Sequence, residues 1–320
     1  EEVVVGSGAK FVIYALMQML VNPGDEVLIP APYWVSYPTI AELAGGVSKF
    51  IETSESTNFK MTAQQLSSAI NPKTRVLIFS SPSNPTGIGY SRAEWESIAK
   101  VIKNHPQLVV ISDDIYDKLV YSTSANVVKT PSGLRRALHL LDIAPELKDQ
   151  VILVNGASKT YSMTGWRVGW ALGPQNLMKV TADFMSQSTS NVTSIAQKAT
   201  LAALKAGPKE VQNAVEKLEL KKNRMMEESK KFQYIRAIQP DGAFYFWLDV
   251  RNLFGKSLEG KKIVGSKDLT QVLLEKYFVA VVPGAEFGCE GYLRVSIAAS
   301  DADLSEAWKR LQTLEADLSR

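Results

Sequence analysis

The sequence has few of the residues that build disulfide frameworks and metal sites. It contains one cysteine, Cys289, and two histidines, His105 and His139, in 320 residues. A single cysteine excludes a disulfide bond within the chain and a cysteine-rich metal site, and we predict no metal centre. Such a low cysteine content favours a reducing compartment, the cytoplasm. We expect both histidines to lie at the protein surface.

Long apolar runs and long basic runs are absent as well. No segment reaches the roughly 18 apolar residues that a membrane-spanning helix needs, so we expect no membrane partner. The 36 basic and 33 acidic residues give a net charge of +3, a near balance that offers little support for nucleic-acid binding. This balance still allows a small anionic ligand, which needs only a few well-placed cations.

The residues that are present have the composition of an ordinary globular protein. Hydrophobic residues make up 45% of the chain and charged residues 22%, which argues against a disordered chain. A length of 320 residues suits one large domain or two ordinary ones. The opening segment EEVVV is typical of a strand already under way and has no initiator methionine, so we expect an N-terminal portion to be missing.

Short apolar strands alternate with helices in the first part of the chain. We predict strands at residues 3–5, 27–29, 47–51, 75–80, 108–112, 151–155 and 166–172. Because these strands are apolar throughout and helices separate most of them, they favour an α/β fold with a mostly parallel sheet covered on both faces. Residues 122–150 interrupt the alternation, and we predict an irregular insertion there.

The second part of the chain has a different pattern. Long helical patterns occupy residues 177–232, and strands follow at residues 243–250, 279–282 and 292–296. Further helices are predicted near residues 267–277 and 303–319. This order of elements indicates a smaller C-terminal α+β domain.

The residues that follow the strands are the first candidates for a binding site, because ligands bind beyond the carboxyl ends of the strands in such sheets. The segment from Gly6 through Gly8 and Ala9 to Lys10 opens a helix after the first strand. Its small residues let backbone N–H groups approach a phosphate, which the helix N-terminus favours. The segment is neither a dinucleotide fingerprint nor a P-loop, and a plain tight turn is an equally good explanation of it alone.

Aromatic, amide and carboxylate side chains follow the next strands. Trp34 can stack on a planar ligand, and Asn84, held between two prolines, can donate to a ring oxygen. Asp113 ends a buried strand, where a carboxylate is costly unless it meets a cation such as a protonated pyridine nitrogen. Tyr116 is close enough in sequence to reach the same ring. Core packing, an Asn-Pro turn and a helix N-cap are the ordinary alternatives for Trp34, Asn84 and Asp113.

A lysine and an arginine complete this set. Lys159 follows the strand at residues 151–155, where desolvation and neighbouring cations lower a lysine pKa and make the amine a nucleophile towards an aldehyde. Arg167 can clamp a phosphate with two parallel hydrogen bonds. A phosphate cradle, an aromatic plate, an acid for a ring nitrogen and a lysine at one sheet edge are what pyridoxal phosphate (PLP) requires.

At these residues the chain resembles the class I aminotransferases, within fold type I of the PLP-dependent enzymes. The motifs that carry the resemblance are APYWVSYP (31–38), SNPTG (83–87), SDDIY (112–116), SKT with MTGWRVG (158–160 and 163–169) and LRVS (293–296). The first and fourth look most like the bacterial aspartate aminotransferases of subgroup I-beta. The resemblance implies a seven-stranded sheet in a three-layer α/β/α domain over residues 1–205. Residues 206–320 would form the interdomain helix and the small domain.

The resemblance also implies a role for each candidate residue. Lys159 would form the internal aldimine and carry a proton between the substrate Cα and the cofactor. Asp113 would pair with the ring nitrogen, Tyr116 and Asn84 would bond its O3′ oxygen, and Trp34 would stack on the ring. The phosphate would be held by Gly8, Ala9, Lys10, Ser158 and Arg167. The substrate α-carboxylate would bind Arg294, with Asn84 and Trp34.

The implied reaction is a ping-pong transamination from an L-amino acid, with aspartate as the first choice, to 2-oxoglutarate. Prephenate, alanine and aromatic amino acids stay open as substrates. The alternatives of another class are a PLP-dependent carbon–sulfur lyase and a non-catalytic PLP-sensing regulator domain. Fold type I enzymes generally act as homodimers with shared active sites, and the resemblance implies the same here.

The chain departs from the pattern of the family in three places. Family members are longer, which implies that roughly the first fifth is missing, and with it a dimer arm, a tyrosine for the partner subunit and part of the side-chain selectivity. Asp114 stands where glutamate is common, and we expect little consequence. The segment 122–150 is longer than the family leads us to expect, and the sequence gives it no role.

Overall fold

The computed structural model describes residues 1–318. The first nine strands are β1 (Val3–Gly6), β2 (Glu26–Ala31), β3 (Val47–Glu52), β4 (Thr74–Ser80), β5 (Val109–Asp113), β6 (Val127–Lys129), β7 (Arg135–Ala137), β8 (Val151–Gly156) and β9 (Gly169–Leu172). The later strands are β10 (Arg236–Ile238), β11 (Tyr245–Asp249), β12 (Ser257–Leu258), β13 (Lys261–Lys262), β14 (Val282–Pro283) and β15 (Tyr292–Ser296).

The helices lie between these strands. They are α1 (Ala9–Leu20), α2 (Ser36–Leu43), α3 (Ala63–Ala69), α4 (Arg92–Lys103), α5 (Leu140–Ile143), α6 (Ala157–Thr160), α7 (Gln175–Ser188), α8 (Ser194–Lys205), α9 (Lys209–Ser229), α10 (Ser266–Tyr277) and α11 (Asp301–Leu318). None of the helices in residues 1–318 is long and apolar enough to cross a membrane.

A seven-stranded sheet forms the centre of the larger part, in the order β1-β9-β8-β5-β4-β2-β3. The pairs β2–β3, β2–β4, β4–β5 and β5–β8 are parallel, whereas β9 runs antiparallel to both β8 and β1. The predicted α/β fold with a mostly parallel sheet is therefore confirmed.

Helices cover this sheet on both faces, as a three-layer architecture requires. Along β4, Val76 and Ile78 point into one apolar cluster with α1, α2 and α7. Leu77 and Phe79 point into a second cluster with α3, α4 and α5. Because successive side chains of a strand face opposite sides and both sides are buried, β4 is apolar at every one of these positions.

A four-stranded antiparallel sheet, in the order β10-β11-β15-β14, forms the smaller part. One face of it packs Phe246 and Leu248 against Trp308 and other apolar residues of the helices. The other face turns towards the large sheet, where Trp247 joins an apolar cluster with residues of both parts. The division into domains at residues 205 and 206 stays a prediction.

Three predicted strands are shorter than expected, and one of them is the strand predicted at residues 243–250, of which β11 keeps Tyr245–Asp249. The strand predicted at residues 166–172 begins only at Gly169, because Arg167 has a left-handed backbone (φ 54°) that an extended strand cannot accommodate. The strand predicted at residues 279–282 is reduced to β14, which starts at Val282. Phe278, with φ 52°, ends α10 in a left-handed turn. Residues 279–281 follow this turn and lie outside any strand.

The segment 122–150 is more regular than predicted. It holds the β6–β7 hairpin, the short helix α5 and a 3-10 turn at Pro145–Asp149. The prediction that both histidines lie at the surface is wrong for His139, whose side chain is only 12% exposed. Its imidazole packs against the turn that follows β5 rather than facing solvent.

Candidate active site

A cavity of about 480 Å³ opens at the carboxyl ends of the parallel strands. The predicted site residues that line it are Ala9, Lys10, Trp34, Asn84, Asp113, Tyr116, Ser158, Lys159, Arg167 and Arg294. Five other residues of the wall were not predicted, namely Tyr37, Ser80, Ile115, Thr164 and Tyr245. The convergence follows from topology, because β1, β2, β4, β5 and β8 all end at this edge and the antiparallel β9 begins there.

Gly8 lies outside the cavity wall but shapes the end of the cavity beside Arg167. It has a φ of +93°, and a Cβ atom there would lie 2.4 Å from Nη2 of Arg167. A Cβ at Gly169 would lie 2.2 Å from the backbone nitrogen of Ala9, so β9 packs directly on the start of α1. The first N–H groups of α1 have no partner inside the helix. Free N–H groups beside a guanidinium form an anion site.

The guanidinium of Arg167 is held at this end by backbone carbonyls. It donates to the carbonyl oxygen of Thr164 at 3.0 Å and to that of Ser7 at 3.4 Å. The left-handed turn that shortened β9 is what directs this side chain back across the start of α1. The same turn therefore shortens β9 and positions the side chain of Arg167 at the site.

Asp113 is a buried carboxylate at the end of β5, 5% exposed. Its Oδ2 accepts a hydrogen bond from the phenol of Tyr37 at 2.8 Å, and its Oδ1 accepts one from the N–H of Ile115 at 3.3 Å. Burial raises the pKa of Asp113 to about 6, although these hydrogen bonds and the charge of Lys159 act in the opposite direction. A buried carboxylate with so little compensation suits a ligand that brings a cation.

Lys159 lies in the short helix α6, with Nζ 5.5 Å from the centroid of the Phe244 ring. Burial lowers its pKa, and the positive charges of Arg294 and Arg167 lower it further, while Asp113 acts the other way. A lowered pKa increases the fraction of uncharged amine, which is the form that attacks a carbonyl carbon.

Arg294 reaches the cavity from β15 of the small sheet. Its guanidinium lies over the rings of Tyr245 at 4.6 Å and Phe287 at 5.0 Å. Its Nη1 donates to Oδ1 of Asn84 at 2.9 Å, and its buried Nε has no hydrogen-bond partner among the described residues. An arginine with an unused donor at a cavity wall fits a carboxylate, which it can bind in bidentate fashion.

Two further contacts arrange the aromatic residues of the wall. The hydroxyl oxygens of Tyr116 and Tyr245 are 2.8 Å apart, and burial holds the pKa of Tyr116 well above its usual value. Tyr116 therefore stays a neutral phenol with a proton to donate. Trp34 stands edge-on to Tyr37, and Nζ of Lys10 lies 4.9 Å from the Trp34 ring.

Tyr37 and Tyr245 are the main residues that the sequence did not assign. Tyr37 lies within the segment APYWVSYP, three positions after Trp34, so the helical spacing at the start of α2 carried a usable signal. Tyr245 and Trp247 are two residues apart in β11, so their side chains share a face. The sequence does not show which surface that face meets.

The wall of the cavity fits PLP. It offers a buried carboxylate for a protonated ring nitrogen, a neutral phenol and an amide for a ring oxygen, and a lysine of lowered pKa. Free N–H groups and Arg167 stand at one end, and an arginine with an unused donor stands in the wall. Such a set of groups can anchor a phosphorylated pyridine aldehyde and bind a carboxylate beside it.

Comparisons with known proteins agree with this geometry. A family model described as aminotransferase class I and II matches residues 1–311. A probable aspartate/prephenate aminotransferase of Rickettsia bellii is 42% identical over 313 residues, 98% of this chain and 76% of that protein. An aspartate/prephenate aminotransferase of Cereibacter sphaeroides is 42% identical over 320 residues, 99% of this chain and 77% of that protein. The solved aspartate aminotransferase of Rhizobium meliloti matches with a TM-score of 0.92 and 36% identity, covering 100% of this chain and 76% of that one.

Proposed function

This chain belongs to the aminotransferase class I and II family of PLP-dependent enzymes, and from that premise we propose that it transfers the amino group of L-aspartate to 2-oxoglutarate. The observation that carries the proposal is the convergence of Lys159, Asp113 and Arg294 on one cavity. Transamination itself follows from the family. The identity of the donor rests on the names of the relatives and on the charge of the cavity.

When bound, PLP supplies an aldehyde for the amine and a ring that draws off negative charge from the substrate Cα. We assign its ring nitrogen to Asp113, its ring oxygen to Tyr116 and Asn84, and one ring face to Trp34. We assign its phosphate to Arg167 and to the segment formed by Gly8, Ala9, Lys10 and Ser158. Asp113 would keep the ring nitrogen protonated, because a cation there would offset the remaining cost of its buried charge.

The amine of Lys159 is the base for the substrate Cα–H. Its lowered pKa increases the uncharged fraction of Nζ, which is the form that can accept a proton and return it to a neighbouring carbon. Arg294 would hold the α-carboxylate through its guanidinium, whose Nε has no other partner among the described residues, and so fix which substrate bond faces this amine. Because Arg294 belongs to the small sheet, motion of that sheet towards the cavity completes the site.

Aspartate and 2-oxoglutarate each bring two carboxylates, and a cavity with several cations favours such substrates. Beside Arg294 and Arg167, the wall contains Lys10, whose ammonium lies against Trp34. Prephenate is the second candidate, as an alternative oxo acid, because relatives at 42% identity carry the name aspartate/prephenate aminotransferase.

The cofactor is tested by an absorbance scan between roughly 300 and 500 nm on the purified protein supplied with PLP. We expect a visible band that moves to the near ultraviolet on adding aspartate. Lys159→Ala should alter the band and abolish its response, and Lys159→Arg, which keeps the charge, should behave like Lys159→Ala. Lys179→Ala, a change on the exposed side of α7, is the control. Absence of any band would overturn the proposal, and a band without turnover of any amino acid would favour the non-catalytic PLP-sensing regulator.

The donor and acceptor are tested by steady-state kinetics with each pair of substrates. Aspartate with 2-oxoglutarate should give parallel lines in double-reciprocal plots, the mark of a ping-pong cycle. Amino transfer to prephenate would add the second candidate. Transfer only from alanine or aromatic amino acids would reject aspartate. Release of pyruvate and ammonia from cystathionine without a second oxo acid would favour the carbon–sulfur lyase.

Lys10 has its own test, since it lies between the phosphate end and the open cavity. If Lys10 holds the phosphate, Lys10→Ser weakens PLP binding for every substrate alike. An unchanged affinity for PLP together with a raised KM for aspartate, and not for alanine, would instead assign Lys10 to the substrate's second carboxylate.

We further propose that the chain forms a homodimer in the cytoplasm. Support comes from an apolar groove of about 420 Å³ between α1 and α2, which opens beside Arg167 and leaves Val35 and Leu43 exposed. A second copy that covered this groove would bury apolar surface next to the phosphate end of the site. Light scattering after gel filtration measures the mass. A monomer at micromolar concentration, with full activity, would reject the homodimer.

A further inference from the structure

Tyr245 lies at the point where the small sheet meets the cavity. It is 6% exposed and belongs to β11, paired with β15 so that Trp247 is opposite Arg294. Residues two apart on a strand share a face, so Tyr245 is the diagonal neighbour of Arg294 on the side that faces the large sheet. None of the sequence motifs assigned it a role.

The ring of Tyr245 supports the guanidinium of Arg294. The guanidinium carbon lies 4.6 Å from the centre of this ring and 5.0 Å from that of Phe287. A cation held over ring faces is stabilised without using its N–H groups. The rings therefore fix the plane of the guanidinium and leave its donors for Asn84 and for a carboxylate.

The hydroxyl of Tyr245 makes the second contact, with the hydroxyl of Tyr116 at 2.8 Å. A phenol has one proton to donate. When Tyr116 donates its hydrogen bond to the cofactor's ring oxygen, Tyr245 must be the donor in the hydrogen bond between the two hydroxyls. A phenol that accepts such a bond becomes a stronger donor, because hydrogen bonds in a chain polarise one another.

We propose that Tyr245 is a positioning residue for transamination, whose ring orients Arg294 for the substrate carboxylate and whose hydroxyl strengthens the donation from Tyr116. This inference rests on the function proposed above. It joins two parts of the reaction, since a single side chain of the small sheet acts on substrate binding and on the cofactor's ring oxygen.

Two substitutions separate the two contacts. Tyr245→Phe removes the hydroxyl and keeps the ring, whereas Tyr245→Leu removes both. Tyr292→Phe and Tyr292→Leu are the matched controls, because Tyr292 is also a buried tyrosine of the same sheet under an arginine, with the Arg251 carbon 5.2 Å from its ring. Tyr292 is outside the residues that line the cavity.

The cofactor's visible band, titrated with pH, tests the hydroxyl. A donor stabilises the negative charge on the ring oxygen, and a weaker donor moves protonation to higher pH. Tyr245→Phe should raise the midpoint of this titration by roughly a few tenths of a pH unit, since cooperativity changes a hydrogen bond by roughly 10–30%. KM for amino acid and oxo acid should stay within about twofold, because the ring remains under Arg294.

Steady-state kinetics test the ring. Tyr245→Leu should show the same shift of the titration and, in addition, a KM for both substrates raised roughly 3- to 30-fold, the range expected from losing one cation–π contact. The Tyr292 variants should leave both the midpoint and KM unchanged.

The outcomes distinguish this inference from the proposed function. A wild-type protein without a visible band rejects the proposed function and, with it, this inference, which rests on that function. A wild-type band with an unshifted midpoint in Tyr245→Phe overturns the role of the hydroxyl. A KM in Tyr245→Leu no higher than in Tyr292→Leu overturns the role of the ring and leaves Tyr245 as a packing residue.

Discussion

Asp113 shows how a single residue can be poorly suited to the folded chain and well suited to its ligand. Its carboxylate is buried and receives hydrogen bonds from Tyr37 and from the backbone of Ile115, yet its pKa is still raised to about 6. Within residues 1–318, Lys159 is the charge that offsets it, and it does so only in part. Such a residue is stabilised by the ligand and not by the fold.

Asp113→Asn should therefore abolish most of the activity. An amide cannot balance a protonated ring nitrogen, and loss of one partner of a buried charge pair costs about 2–5 kcal/mol. We expect kcat/KM for aspartate to fall roughly 30- to 4,000-fold, which steady-state assays will measure. Asp183→Asn, at an exposed position of α7, is the control. Activity within threefold of wild type in Asp113→Asn would show that the ring nitrogen lies elsewhere.

The same substitution should stabilise the cofactor-free protein at alkaline pH. The pKa of Asp113 rises from its ordinary 3.8 to about 6 on folding, so the unfolded chain ionises first and stability is lost as pH rises from about 4 to 6. A shift of this size corresponds to a cost on the order of 3 kcal/mol above pH 6. Asp113→Asn removes this cost, although it also weakens one hydrogen bond.

Thermal melting of the two cofactor-free proteins from pH 4 to pH 8 measures this difference. The variant should melt higher than wild type at pH 8, and the two curves should approach one another towards pH 4. A wild-type protein that melts higher at pH 8 would mean that its carboxylate is already balanced within the folded chain.

The segment 122–150 packs against the turn that follows Asp113. The N–H of Ala137 in β7 donates to the carbonyl oxygen of Asp117 at 2.6 Å. Nε2 of His139 lies 3.6 Å from Oδ2 of Asp117 and 4.0 Å from Oδ2 of Asp114. The hairpin and α5 therefore cover the outer side of the turn that carries Asp113. Asp114 is also buried in this contact.

His139 should make the protein sensitive to mild acid. Burial lowers its pKa, and Asp117 and Asp142 oppose this effect while Arg136 and Lys118 add to it. With the folded pKa below the unfolded one, the unfolded chain binds the proton first, and stability falls as pH drops below the ordinary value of 6.5.

His139→Gln should remove this loss of stability. Urea unfolding at pH 7.5 and pH 5.5 should show a smaller decrease in the variant than in wild type, with His105→Gln as the matched control for losing a histidine. An equal decrease in all three proteins would mean that folding leaves the pKa of His139 unchanged.

At the scale of elements, local sequence pattern predicts some features of the site and misses others. Trp34, Asn84, Asp113 and Lys159 could be placed at one edge because parallel strands end together, a rule that needs only the order of strands. The spacing of Ser91 and Glu94 likewise fits a capping box, and the two residues form one at the start of α4. Both inferences use local pattern alone.

Other features depend on contacts between elements, which local sequence pattern does not predict. Arg167 lies in a left-handed turn that only the packing of β9 on α1 requires. Tyr245 lines the cavity only because the small sheet docks with that face inward. His139 is buried by a turn more than twenty residues earlier in the chain. In each case the deciding neighbour is distant in sequence.

At the scale of the whole molecule, the site lies between two sheets that ionic contacts also join. Glu55, from the loop after β3, pairs with Arg236 at 2.6 Å and with Arg251 at 3.1 Å. Both arginines also pair with Asp249 of β11. Exposed pairs of this kind contribute little individually, so ligands bound between the sheets should add noticeably to the cohesion of the molecule.

PLP should therefore raise the melting temperature by several degrees. At a concentration 100 times its Kd, a ligand that binds only the folded state adds about 2.7 kcal/mol to the free energy of unfolding. Pyridoxal, which has no phosphate, should stabilise less at the same concentration. Arg167→Ala should reduce the advantage of PLP over pyridoxal. Equal stabilisation by both compounds in the wild-type protein would show that the end beside Arg167 holds no phosphate.

The pairing of β1 with β9 has a consequence for synthesis on the ribosome. Val3 pairs with Leu172, so β1 leaves the exit tunnel about 170 residues before its partner exists. At roughly 5–20 residues per second, this interval lasts on the order of 10–30 s. During that time Val3, Val4 and Val5 have no strand beside them, and the anion cradle at Gly8 has no arginine. The nascent chain thus offers chaperones an apolar strand early and becomes able to hold its cofactor late.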